Sequence, residues 1–140
     1  MNKDLQAAQR MLDRGYTCVL CKGEQFRTCE RRGIRPVVEL LESGEDFRGF
    51  SAADKVVGRA TAYLYVLLGV RGVYAHVMTQ AAWQILETAG IEAYSDVLAE
   101  QICNRTRTGL CPMESACADV NTPREALAAV KRTLEQLSQK

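Results

Sequence analysis

Apolar residues recur along the chain with two different periods, and each change of period marks a predicted element. Leu5, Ala8, Met11 and Leu12 follow the three-and-four spacing of an amphipathic helix, predicted over 3–14 and stopped at Gly15. Tyr16 to Cys21 is rich in β-formers, Lys22-Gly23-Glu24 supplies a turn, and Gln25 to Thr28 returns as a second short strand, giving a hairpin. Ile34, Val37, Val38, Leu40 and Leu41 form one face of a short helix over 34–43, with Pro36 in its first turn and Gly44 beyond its end. Ser51-Ala52-Ala53-Asp54 resembles a capping box, with Ser at the N-cap and an acid three residues on. The helix predicted to start there runs through Val56, Val57, Ala60, Leu64, Leu67 and Leu68 to Gly69, and its second half is apolar nearly all round, as in a central helix covered on several sides.

Val70 to Met78 reads as a buried strand, Thr79 caps a helix carrying Ala82, Trp83, Ile85 and Leu86 up to Gly90, and Ile91 to Tyr94 is a further strand. Together they predict a β-α-β unit and hence a layered α/β sheet. Ser95 is expected to cap a helix from Asp96 to about Cys103, and Thr122-Pro123-Arg124-Glu125 is a capping box for a last helix over 123–137. No repeat, low-complexity tract or Pro/Gly/Ser-rich linker divides the sequence, so one domain over 1–140 is expected.

Charge and composition narrow the function classes. Eighteen Lys and Arg against 17 Asp and Glu leave a formal charge of +1, which provides no global field for nucleic acid or an anionic membrane. The longest apolar run, Ala60 to Val70, is interrupted by Thr61 and is shorter than the roughly 18 residues a bilayer span requires, so no membrane association is expected. Met1 to Leu12 mixes Lys3, Asp4 and Arg10 with polar residues and lacks a signal-type apolar stretch, which points to the cytosol. Cys18, Cys21, Cys29, Cys103, Cys111 and Cys117 are accordingly expected as free thiols. Cys18 and Cys21 have metal-knuckle spacing, but on a strand they point to opposite faces, and no metal or cofactor is expected. His76, mid-strand among apolar neighbours, reads as a hydrogen-bonded structural residue, and Tyr63, Tyr65, Tyr74 and Trp83 read as packing.

Asn104 to Glu114 combines Asn104, Arg105, Thr106, Arg107, Thr108 and Gly109 just before a helix expected at Pro112. Backbone N–H groups at a helix start favour phosphate or carboxylate, and arginine adds bidentate hydrogen bonds, so the stretch suits a nucleotide or phosphorylated metabolite. A solvated connection with surface arginines is the plainer alternative. Cys111, expected at the N-cap of that helix, is the best nucleophile candidate, with a buried incidental cysteine as its alternative. Glu114 is either a base or a reach-back cap.

Three strings, Ser51 to Gly58, Ala62 to Gly69 and Asn104 to Glu114, resemble the domain-of-unknown-function 1893 family of bacterial proteins in order and spacing, a likeness that covers roughly 15–135. The resemblance implies a cytidine-deaminase-like three-layer α/β/α sandwich with a mixed sheet of about four strands, and it implies homodimers. Zinc deaminases need His or Cys with Glu two residues on at the central helix and Pro-Cys-x-x-Cys at the next. Ala53-Asp54-Lys55 and Met78 to Ala82 stand where those motifs are expected, so zinc deamination is not expected. The resemblance makes Asp54 and Lys55 candidate acid/base groups in that position, beside the readings that Asp54 merely caps and Lys55 is merely solvated. The expected site thus comprises Asp54, Lys55, Cys111 and Glu114 as chemical groups and Ser51, Asn104, Arg105, Thr106, Thr108 and Gly109 as contacts to a small-molecule ligand. A non-catalytic sensor or protein-interaction module on the same fold is the second expectation.

Overall fold

The computed structural model of the chain describes residues 1–31, 33–100 and 111–138. Its strands are β1 (Cys18–Lys22), β2 (Gln25–Cys29), β3 (Ser51–Val57), β4 (Gly72–Thr79) and β5 (Glu92–Ala99). The helices are α1 (Lys3–Leu12), α2 (Arg35–Glu42), α3 (Arg59–Leu68), α4 (Gln80–Thr88), α5 (Pro112–Ala116) and α6 (Pro123–Ser138). The strands form one sheet in the order β2-β1-β3-β4-β5; β1 is antiparallel to both β2 and β3, and β3, β4 and β5 run parallel. The sheet therefore has five strands where the sequence suggested about four.

The fifth strand is β3, in the segment expected to open the central helix. Ser51, Ala52, Ala53 and Asp54 are all buried, because β3 lies between β1 and β4 with helices on both faces. A strand covered on both faces shows a continuous apolar run instead of alternation, and that pattern does not distinguish it from a buried helix. Ser51 and Asp54 only imitate a capping box. The helix begins at Arg59, after an extended Gly58, and ends at Gly69 in the left-handed conformation with φ 76°. The helix expected from Asp96 is also corrected: β5 continues to Ala99, with Ser95, Val97 and Leu98 laddered against Ala75, Val77 and Met78 of β4. Parallel pairing along the whole of β4 outweighs the local capping signal of Ser95.

The layers are α/β/α. On one face α1 sets Leu5, Ala8 and Leu12 against Val19, Cys21, Ala53 and Tyr74, and Asn2 caps it by accepting from the Leu5 N–H at 2.7 Å. On the other face α2, α3 and α4 bury Val37, Leu64, Leu68, Ala82 and Leu86 with Leu20, Ala52, Val73 and Ala75 of the sheet. Ala126, Ala129 and Val130 of α6 extend this core, chiefly against α3. Thr79 caps α4 by accepting from the Ala82 N–H at 3.1 Å, and the Thr122 hydroxyl accepts from the Glu125 N–H at 3.2 Å at the start of α6. Among the described residues no helix is long and apolar enough to cross a membrane.

Candidate functional site

Where β3 gives way to α3, a cavity of about 490 Å³ opens beyond the carboxyl end of the strand. Asp54 and Lys55 reach it from β3, Thr61 from α3, Thr17 from the segment before β1, and Cys111 and Glu114 from the start of α5. All four side chains expected to carry chemistry thus line one cavity, although Asp54 and Lys55 arrive there on a strand.

Asp54 is 9% exposed. Its Oδ2 accepts from the Tyr65 hydroxyl at 2.7 Å and its Oδ1 from the Lys55 N–H at 2.8 Å. Burial is the largest influence on its carboxyl and pushes it up to about 7; the Tyr65 hydroxyl and the N–H groups of Lys55 and Val56 oppose that rise without cancelling it. Asp54 is therefore divided between acid and carboxylate near neutral pH. Lys55 is exposed on the same stretch of cavity wall.

Glu114 does not cap its own helix. Its Oε1 accepts from the Ala60 N–H at 3.3 Å, so it caps α3, whose N-cap residue Gly58 has no side chain for the purpose. Burial raises the Glu114 carboxyl, and the Arg59 and Ala60 N–H groups, followed by the Arg59 guanidinium, draw it back. The junction is closed in return by Arg59, which donates to the carbonyls of Cys117 at 3.0 Å and Val120 at 2.8 Å. The Tyr63 hydroxyl also donates to the Val120 carbonyl, at 3.2 Å. Glu114→Ala is expected to cost about 1 kcal/mol, the usual worth of a helix cap, read as a lower urea midpoint.

Cys111 occupies the N-cap position of α5, half-buried and without a side-chain capping bond. Ser51 does not reach the cavity: its side chain points to the α1 face and its hydroxyl donates to Asn2 Oδ1 at 3.0 Å. That is the consequence of its lying in a strand, three residues from Asp54 and hence on the opposite face. Asn104, Arg105, Thr106, Arg107, Thr108 and Gly109 lie outside the described residues. Cys18 and Cys21 do point to opposite faces, Cys18 under α3 and Cys21 under α1. His76 is held between carboxylates, with Nδ1 3.0 Å from Asp96 and Nε2 3.5 Å from Asp13. Among the described residues no three His, Cys, Asp or Glu side chains stand close enough to hold a metal ion.

Sequence reasoning missed Tyr65, Thr17, Thr61 and Arg59. Tyr65 carried a usable signal, since a tyrosine in a fully apolar helical stretch must find a partner for its hydroxyl.

Comparison with known proteins bears on the family. No curated protein matches the chain. A solved structure of a DUF1893 family protein (TM1506) from Thermotoga maritima superimposes with a TM-score of 0.84, covering 94% of this chain and 91% of that one at 21% identity, which is a likeness of fold. The family model TM1506, described as a domain of unknown function (DUF1893), matches residues 6–134. The chain belongs to the DUF1893 family.

Proposed function

We propose that the cavity at the β3–α3 junction binds a nucleotide-like or phosphorylated small molecule, with Asp54 as the group that recognises it or exchanges a proton with it. The observation that carries this reading is a nearly inaccessible carboxyl, pushed up to about 7, on the wall of a 490 Å³ cavity. Ligand pockets commonly fall at about 300–1,000 Å³, and open α/β sheets commonly take ligands beyond the carboxyl ends of their strands. A carboxyl able to donate or accept suits the paired donor and acceptor edge of a nucleobase and is poised for general acid/base work. Glu114 adds a second raised carboxyl, Cys111 a thiol and Lys55 a cation. A phosphate would sit toward Lys55 and away from the two carboxyls, with Asn104, Arg105, Thr106, Thr108 and Gly109 as its further proposed contacts.

The fold reading that goes with this is cytidine-deaminase-like without the metal. In such a fold zinc ligands stand at the first turns of the central helix and the next one. Here those turns hold Gly58-Arg59-Ala60 and Thr79-Gln80-Ala81-Ala82, which offer no imidazole, thiolate or carboxylate. The residues at these turns do not fit zinc.

A thermal-shift screen against nucleosides, nucleotides and sugar phosphates tests the proposal, since a ligand at 100 times its dissociation constant adds about 2.7 kcal/mol. Stabilisation that is lost in Asp54→Asn or Arg105→Ala is the expected result, and no shift from any compound overturns it. The second reading is a sensor or interaction module that assembles as a homodimer in the cytosol. It is favoured by β5, a sheet-edge strand that exposes Val97 by 54%, Leu98 by 49% and Tyr94 by 37%. Concentration-dependent sedimentation, weakened by Leu98→Lys, would move the balance to it.

A further inference from the structure

A buried carboxylate is ordinarily matched by a cation of its own protein, because a lone charge away from water is costly. Asp54 has no such match. Only 9% exposed on the wall of the 490 Å³ cavity, it is held by the Tyr65 hydroxyl at 2.7 Å and the Lys55 N–H at 2.8 Å, both uncharged donors. Among the described residues no side-chain cation forms an ion pair with it. A carboxylate offers about four acceptor sites, so acceptor capacity is left over on a group that lines the cavity. Glu114, the second carboxyl on that wall, is likewise without an ion pair among the described residues, since the nearby Arg59 guanidinium is committed to the carbonyls of Cys117 and Val120. Lys55 is the one cation on the described wall, and its side chain is exposed. Ile34, Val56 and Met113 give the same cavity an apolar lining.

We propose that the ligand of this cavity is an organic amine, whose protonated nitrogen is received by Asp54 and whose apolar part lies against Ile34, Val56 and Met113. The inference rests on the reading of the cavity as a ligand site and narrows the class of molecule it takes. The N–H groups of the ligand fill the open acceptor sites on Asp54, and its charge is the partner that the described fold leaves out. An uncharged ligand of the same shape offers the hydrogen bonds alone. Any phosphate on the molecule lies at its other end, toward Lys55.

Such recognition is tied to pH. Burial pushes the Asp54 carboxyl up to about 7, and an ammonium group pairs with its ionised form only. Below 7 the incoming cation must first displace the Asp54 proton to solvent; above 7 the carboxylate is already free. Affinity for an amine therefore rises as pH rises through 7 and then levels off. The other titratable groups around Asp54 are Tyr65 from α3, Cys18 opposite it on β1, Cys29 across from Cys18 on β2, and Lys55, Cys111 and Glu114 on the cavity wall. The residue opposite on β4 is Ala75, which carries no charge. Burial, then the charge of Asp54, holds the Tyr65 phenol well above its usual value, so it stays a neutral donor. Burial also raises Glu114, in the same direction as Asp54.

Titration of the intact protein with benzylamine and with benzyl alcohol, followed by amide chemical shifts from about pH 6 to 8, tests the proposal. The two probes share an apolar body and differ in charge, and benzylamine stays protonated throughout. Benzylamine is expected to bind at pH 8 about tenfold or more tightly than benzyl alcohol, and its affinity is expected to rise about tenfold between pH 6 and 8, as Asp54 passes from mostly protonated to mostly ionised. Asp54→Asn keeps both hydrogen bonds and removes the charge; it should abolish the rise and bring benzylamine down to the level of the alcohol. Equal affinity for the two probes in the wild type overturns the proposal without any variant, and so does a benzylamine affinity that stays flat or falls with pH. A rise that persists in Asp54→Asn overturns it as well, because another group then carries the charge. Stabilisation by sugar phosphates without binding of benzylamine would defeat the amine and leave the cavity reading standing, so the two failures are told apart.

Discussion

Asp54→Asn is expected to stabilise the protein at pH 8 by about 2–4 kcal/mol and to flatten its stability between pH 4 and 7. The folded carboxyl titrates at about 7 against an ordinary value of 3.8, and each unit of displacement corresponds to about 1.4 kcal/mol. Below pH 4 the group is protonated in both folded and unfolded chains and contributes nothing to the slope. Between 4 and 7 the unfolded chain releases its proton while the folded chain keeps it, so stability falls as pH rises. Above 7 both are ionised and the loss is complete. Asparagine removes the charge yet keeps the contacts: its carbonyl accepts from the Lys55 N–H and its amide donates to the Tyr65 oxygen, the positions now held by Oδ1 and Oδ2. Urea unfolding at several pH values reads the effect. Glu114, raised in the same direction, leaves a smaller slope of the same sign in the variant. Parallel profiles for wild type and variant would show that Asp54 is not the group responsible.

Leu64→Ala should cost about 3–4 kcal/mol, within the usual range for a large-to-small change at a closed core site. Leu64 is fully buried in α3, the helix that faces the sheet on one side and packs against α2, α4 and α6 on others. Because neighbours enclose the site, it cannot collapse to fill the void. The denaturant midpoint should drop with the m-value unchanged. Leu98→Ala, at a leucine 49% exposed on β5, is the matched control and should stay within about 0.5 kcal/mol of wild type.

Elements whose apolar residues face one partner were legible from the sequence. In α1, α4 and α6 a single buried stripe repeats with helical spacing, and caps at Thr79 and Thr122 mark two of their starts. β3 was not legible, because a strand covered on both faces loses its alternation. β5 was cut short, since pairing to β4 is a long-range fact that local capping chemistry opposes. The site divides along the same line. Asp54, Lys55, Cys111 and Glu114 drew attention as residue types in informative positions, and they stand on one cavity. The alignment of Cys29, Cys18 and Asp54 depends on strand register, and the use of Glu114 as a cap for α3 depends on a contact between residues 54 positions apart. Neither leaves a local trace.

The exchange between Glu114, which closes the first turn of α3, and Arg59, which grips the carbonyls of Cys117 and Val120, has a consequence for a chain made from one end to the other. Residues up to Leu68, the last of α3, are made before residue 114 is added. At that stage α3 has an open N-terminus, and the wall supplied by Cys111 and Glu114 does not yet exist. Contacts of such high sequence separation form late, after the loops between them have closed. A nascent chain can thus complete much of its sheet while its cavity stays one-sided, and the second wall arrives only once residues 111–114 have followed.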